Sequence, residues 1–129
     1  MYTINIETTQ KDEVVDITNL INDLISKSGE RKGSCNIFVT HTTCSIATAD
    51  LDPETDKDYL KAFRNMVPNL TYNHPHDPNH FGDHLLSTLI GTQISVPYVD
   101  GGLVLGDWQK VVLFEFNGPQ SRRVVVNLE

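Results

Sequence analysis

Cysteine is scarce: Cys35 and Cys44 are the only two in 129 residues, and they form no Cys-x-x-Cys pair. A disulfide framework is thereby not expected, and both thiols read first as small buried apolar groups. A minor alternative gives Cys44 some chemistry beside His41. Bases are also in short supply, 10 Lys and Arg against 17 Asp and Glu, for a formal net charge of -7. That balance argues against a general nucleic-acid role, which rests on neutralising phosphates with a basic surface. It leaves room for a small basic pocket that takes a phosphorylated metabolite. No apolar run reaches spanning length, and the first residues alternate like a strand instead of forming a secretory leader. The expectation is a soluble, cytoplasmic chain. Repeats, low-complexity tracts and linkers are absent too, so residues 1–129 read as one domain, large enough for an ordinary core.

Histidine is what the chain has in quantity, and it is unevenly spread. Four of its five histidines, His74, His76, His80 and His84, fall within eleven residues, and the fifth is His41. Imidazole nitrogen is a good ligand for zinc and its first-row neighbours, so a divalent metal is the first hypothesis. The plainer alternative stands beside it: Pro75 and Pro78 mark an irregular segment in which histidines are simply solvated, and no zinc-helix motif supports the cluster.

Along the chain, Met1–Thr8 alternates Tyr2, Ile4 and Ile6 with polar residues, as a half-buried strand does. Glu13–Asp16 reads as a second strand. Thr18 is placed to cap a helix carrying Leu20, Ile21, Leu24 and Ile25 at helical spacing, with Gly29 as its stop. Asn36–Thr43 is rich in β-branched residues and reads as a strand with His41 on it or at its end. Cys44–Ala49 continues as another extended segment. Asp52-Pro53 opens a helix whose apolar stripe is Tyr59, Leu60, Phe63, Met66 and Val67, ended by Pro68. A short helix over Gly82–Ile90 turns Leu85, Leu86, Leu89 and Ile90 inward. Gln93–Val99 follows as a strand whose Pro97 suits an edge, then a turn at Asp100-Gly101-Gly102 and a brief strand at Leu103–Leu105. Val111–Phe116 and Arg123–Leu128 complete the count, joined through Asn117-Gly118-Pro119-Gln120. Seven or eight strands with about three helices and prominent hairpins make an α+β chain with a mostly antiparallel sheet.

Several segments, taken in order, carry a resemblance: His41-Thr42-Thr43-Cys44-Ser45, Tyr72-Asn73-His74, His84-Leu85, Gly91 through Pro97, Asp100 through Gln109, and Glu115-Phe116-Asn117-Gly118-Pro119. Together they resemble the YjbQ family, described as secondary thiamine-phosphate synthases, over nearly the whole chain. The resemblance implies a strongly curved sheet, a homotrimer, and a histidine metal site that falls on His41, His74 and His84, leaving His76 and His80 outside. It also implies a weak activity joining a pyrimidine diphosphate to a thiazole phosphate. A metal-dependent hydrolase and a non-catalytic binding homotrimer are the alternatives.

The chain departs from the family pattern at points that bear on such a site. Asp50 stands at the acidic position after His41, Asp107 precedes Trp108, and Asp83 precedes His84. The added negative charge favours a cation and opposes a bare phosphate. Asp50 or Asp83 is the expected base or the group that orients a ligating histidine. Phosphate donors are sought in Arg122, Arg123 and the amides of Gly101, Gly102 and Gly106, although the glycines also suit turns and the arginines a solvated or subunit-facing place. Trp108 and Gln109 are expected to line a ligand pocket or a subunit seam, or else Trp108 is simply buried.

Overall fold

The computed structural model describes residues 1–129. Eight strands and three helices follow in the order β1 (Tyr2–Glu7), β2 (Glu13–Asp16), α1 (Thr18–Ser28), β3 (Lys32–Val39), β4 (Cys44–Ala49), α2 (Thr55–Met66), α3 (Phe81–Ile90), β5 (Gln93–Val99), β6 (Gly102–Leu103), β7 (Lys110–Glu115) and β8 (Ser121–Leu128). A single 3-10 turn, Pro78–His80, runs directly into α3. The strands form a five-stranded sheet ordered β1-β8-β3-β5-β6 and a three-stranded sheet ordered β2-β7-β4. Every ladder is antiparallel. The whole curls into a half-barrel with three helices, as expected for the α+β class with a strongly curved sheet.

Strand β7 explains the layering. Its run Val111-Val112-Leu113-Phe114 is apolar throughout because both of its faces are covered. Val111 and Leu113 point into the main core with Ile21 and Ile25 of α1, Cys35, Ile37 and Val39 of β3, and Val124 and Val126 of β8. Val112 and Phe114 face the other way, with Phe116 beyond the strand, onto Leu86 of α3 and the α2 stripe of Tyr59, Leu60 and Phe63. Phe63 meets Phe114 edge to face at 5.1 Å and 86°, the arrangement that ring quadrupoles favour. Both cysteines are buried and free, with their thiols pushed up by burial to about 11 for Cys35 and about 12 for Cys44. Neither is an available nucleophile.

Several expectations are corrected. Thr18 lies inside α1 and its hydroxyl accepts from the Val111 amide at 2.9 Å, while Asp16 accepts from the Thr18 amide at 3.0 Å. A buried threonine stitches the helix to β7 in place of a surface cap. Helix α2 starts at Thr55, because Glu54 takes a left-handed φ of 73° and leaves Asp52-Pro53 in the preceding turn. Met66 and Leu89 are each 62% exposed, so the two apolar stripes are narrower than their spacing implied. Strand β3 spans Lys32–Val39, which leaves His41 in the β3–β4 connection. Gly29, Asp100 and Gly101 take positive φ, the first as the left-handed stop of α1 and the latter two as the turn of the β5–β6 hairpin.

Candidate metal centre

The site grows from the start of α3. Asp77 caps the 3-10 turn by accepting from the Asn79 amide at 3.1 Å, and Pro78 occupies its first position. His80 closes that turn, and His84 lies four residues on, so both rings project from one face. His74 is brought alongside by aromatic packing: the Tyr72 ring lies 4.7 Å from Phe81, and the Tyr72 hydroxyl donates to the Pro68 carbonyl. Centroid separations within the three rings are 4.7, 4.7 and 4.9 Å. All three side chains are half-buried, and one nitrogen from each lies within 4.8 Å of the others.

The nitrogens have defined duties. Nδ1 of His84 is 3.1 Å from the Thr42 carbonyl, which can only accept, so Nδ1 carries the hydrogen and Nε2 keeps its lone pair. Nε2 of His74 and Nε2 of His80 face each other at 2.8 Å. Around a tetrahedral ion with bonds of ~2.0–2.1 Å, ligating nitrogens sit roughly 3.3 Å apart. For the His74–His80 pair a shift of about half an ångström would make room for an ion, and a set of three imidazoles would leave a fourth position open. Desolvation first, then His80, His84 and His76, hold the His74 ring below the usual imidazole range against the opposing pull of Asp77. The neutral form that binds metal is thereby favoured at His74.

Behind the rings lies a charge network. Asp83 is buried on α3; its Oδ1 accepts from Arg64 Nη1 at 2.7 Å, and its Oδ2 accepts from Lys11 Nζ at 3.1 Å. Arg64 also pairs with Asp12 and donates to the Phe116 carbonyl at 2.8 Å. Lys11 reaches this position because Gln10 and Lys11 pass tightly against Gly118: the Gly118 amide donates to the Lys11 carbonyl at 3.0 Å, and a Cβ on Gly118 would lie 2.1 Å from the Gln10 carbonyl oxygen. Two carboxylates thus meet two cations, and Asp83 adds no unbalanced charge to the centre.

The other site residues expected from sequence fall elsewhere. His41 stands apart from the cluster; its Nε2 accepts from the Arg123 amide at 2.9 Å. Desolvation, then Arg122, lower its pKa, with Glu115 opposing. Arg122 is sealed in the interior: Nε donates to Glu115 Oε1 at 2.8 Å, and Nη2 donates to the other Glu115 oxygen and to the Thr43 hydroxyl at 2.8 Å. These donors are committed to the fold. The Arg123 side chain is exposed. Asp50 follows Ala49, which pairs with Lys110 at the end of β4 remote from Thr43, on the order of 20 Å along the strand. Trp108, 73% exposed, and Gln109, which accepts from the Gly106 amide at 2.8 Å, lie at that same remote end. Gly101 and Gly102 turn the β5–β6 hairpin at the Lys32 end of β3, away from His41.

His80 is the residue sequence reasoning set aside. Its signal was legible: Asp77-Pro78 is a capping residue followed by proline at the first turn. A helix begun there puts His80 and His84 at i and i+4, whereas one begun at Gly82 leaves His80 in a loop.

The family model described as UPF0047 protein YjbQ-like matches residues 2–129. The UPF0047 protein YugU of Bacillus subtilis is 32% identical over 130 residues, covering 98% of this chain and 96% of that protein. A UPF0047 protein of Methanothermobacter thermautotrophicus is 30% identical over 124 residues, covering 95% and 87%. A solved YjbQ/UPF0047-family protein from Clostridium acetobutylicum superimposes with a TM-score of 0.91 at 30% identity over the whole of both chains. With the family model spanning all but the first residue and the curled fold shared, this chain belongs to the YjbQ-like UPF0047 family.

Proposed function

We propose that this protein binds one divalent transition-metal ion per chain through Nε2 of His74, His80 and His84, and that it is a metal-dependent enzyme working at the open fourth position. The observation that carries the reading is the convergence of three half-buried rings, two of them with Nε2 atoms 2.8 Å apart and the third fixed by the Thr42 carbonyl. An all-nitrogen set with an open position suits zinc. Held by three neutral nitrogens, a bound ion would keep its full charge and would supply Lewis-acid polarisation of an oxygen at the open position. The chain's own residues favour the neutral His74 ring and orient that of His84, and Asp77 is the acid beside His74.

Thiamine-phosphate synthesis, the activity implied by the family resemblance, requires phosphate donors beside the ion. Within one chain Arg122 is committed to Glu115, and Gly101, Gly102, Trp108, Gln109 and Asp50 lie at remote strand ends. Arg123, exposed beside His41, is the expected donor left free at this end of the chain, and the other groups would have to come from a neighbouring subunit of the expected homotrimer. Metal analysis of the purified chain tests the primary reading: about one equivalent of zinc per chain, removed by chelator and restored by added zinc, supports it. A chain that takes up no divalent metal at neutral pH sinks it. Thiamine phosphate formed only by the metal-loaded form would extend it to the transferase, and hydrolysis of a phosphate ester without that product would favour a hydrolase.

A further inference from the structure

We infer that Asp83 is a positioning residue for His80, fixing the ring tautomer that faces the ion; this rests on the metal reading above. Although Asp83 adjoins His84 in sequence, its carboxylate turns away from that ring and back toward α2 and Lys11. There its Oδ2 lies 3.8 Å from Nδ1 of His80, too far for a hydrogen bond as it stands. The two ring nitrogens face nearly opposite ways, so Nε2 looks at His74 while Nδ1 looks at Asp83. Separating the two Nε2 atoms from 2.8 Å to the roughly 3.3 Å that an ion needs is a step of about half an ångström; taken by His80 toward the carboxylate, it would bring Nδ1 to roughly 3.3 Å from Oδ2, the long edge of hydrogen-bond range. The hydrogen is then held on Nδ1, and the Nε2 lone pair is left for the ion.

Asp83 suits this task because it is itself immobile. Its side chain is 2% exposed, and Arg64 and Lys11 grip one oxygen each. Oδ2 retains a second lone pair after accepting from Lys11. The arrangement matches what Thr42 does for His84 with a backbone carbonyl, so two of the three rings are backed on Nδ1. Lys11 and Arg64 neutralise the local charge, which makes Asp83 an acceptor for the ring and not a rival ligand.

The test measures zinc affinity by competition with a chromophoric chelator in four proteins: wild type, Asp83→Asn, His80→Ala and the double variant. The expected result is about 10–100-fold weaker binding in Asp83→Asn, with little further loss when the same change is made in the His80→Ala background. Asp12→Asn, which removes a different partner of Arg64, should stay within about threefold of wild type. Unchanged affinity in Asp83→Asn, or an equal loss with and without His80, would overturn the role and leave the site standing. A wild type without zinc affinity would overturn the site and this role together. Should Asp83→Asn fail to fold, nitrogen NMR of zinc-loaded wild type decides: His80 protonated on Nδ1 supports the role, and protonated on Nε2 contradicts it.

Discussion

Arg122 and Glu115 are at most 1% exposed, so their pairing is a matter of folding before it is one of chemistry. Burial alone would raise the Glu115 carboxyl, but hydrogen bonds from Arg122, Thr8 and the Asn117 amide hold it below the usual carboxylate range. A carboxyl depressed on folding contributes stability above its unfolded-chain value and loses it as pH falls through the folded-state value. Urea melts across about pH 2–5 should therefore show a flatter acid limb in Glu115→Gln than in wild type; parallel limbs would contradict the assignment. Arg122→Met strands the buried carboxylate and should cost about 3–5 kcal/mol, checked by the same melts at neutral pH. The burial of Arg122 was partly legible, since it shares its strand face with Val124 and Val126. What the alternation could not show was the partner, seven residues earlier on another strand. A charged residue in an apolar phase points to burial, but naming its counter-charge needs the register.

Element α3 carries His84 and follows directly on the turn that carries His80, and its seat on the three-stranded sheet is narrow. Leu86 is its one large buried side chain, and the Ser87 hydroxyl donates to the Cys44 carbonyl at 2.6 Å. Leu86→Ala should cost about 2–5 kcal/mol, read from denaturant midpoints; a loss under about half a kcal/mol would mean that α2 alone covers β7. At this scale the sequence was informative where apolar periodicity and turn chemistry agreed: Glu13–Asp16, Gln93–Val99 and the Gly29 stop all stand where their patterns put them. It misled where one signal had two uses. Asp-Pro opens a turn before α2 at Asp52-Pro53, yet opens the helical path into α3 at Asp77-Pro78. The positive φ of Glu54 separates the two cases, and the Asp-Pro pair itself does not encode it.

On the scale of the whole molecule, the half-barrel gathers one set of strand ends, where Thr42, Thr43, Glu115 and Arg122 meet, beneath the histidine rings. The opposite ends carry Asp50, Trp108 and Gln109. The fold was readable from pattern and resemblance together, whereas the grouping of His80 with His74 and His84 needed the Asp77-Pro78 turn to be read as the start of the helical path. An ion that binds the native chain and not the unfolded one raises stability by about 2.7 kcal/mol at a hundredfold excess over Kd. Chelator should therefore lower the melting temperature of wild type and leave His84→Ala unchanged; an equal drop in both would place the ion elsewhere. No helix is long and apolar enough to cross a membrane. The central claim is that the ion is held by His74, His80 and His84, and the most direct measurement is zinc content per chain in His80→Ala and His41→Ala, each purified without chelator and reloaded with zinc. The account predicts loss of zinc in His80→Ala and about one equivalent in His41→Ala; zinc kept by His80→Ala and lost from His41→Ala would contradict it and return the site to His41, His74 and His84.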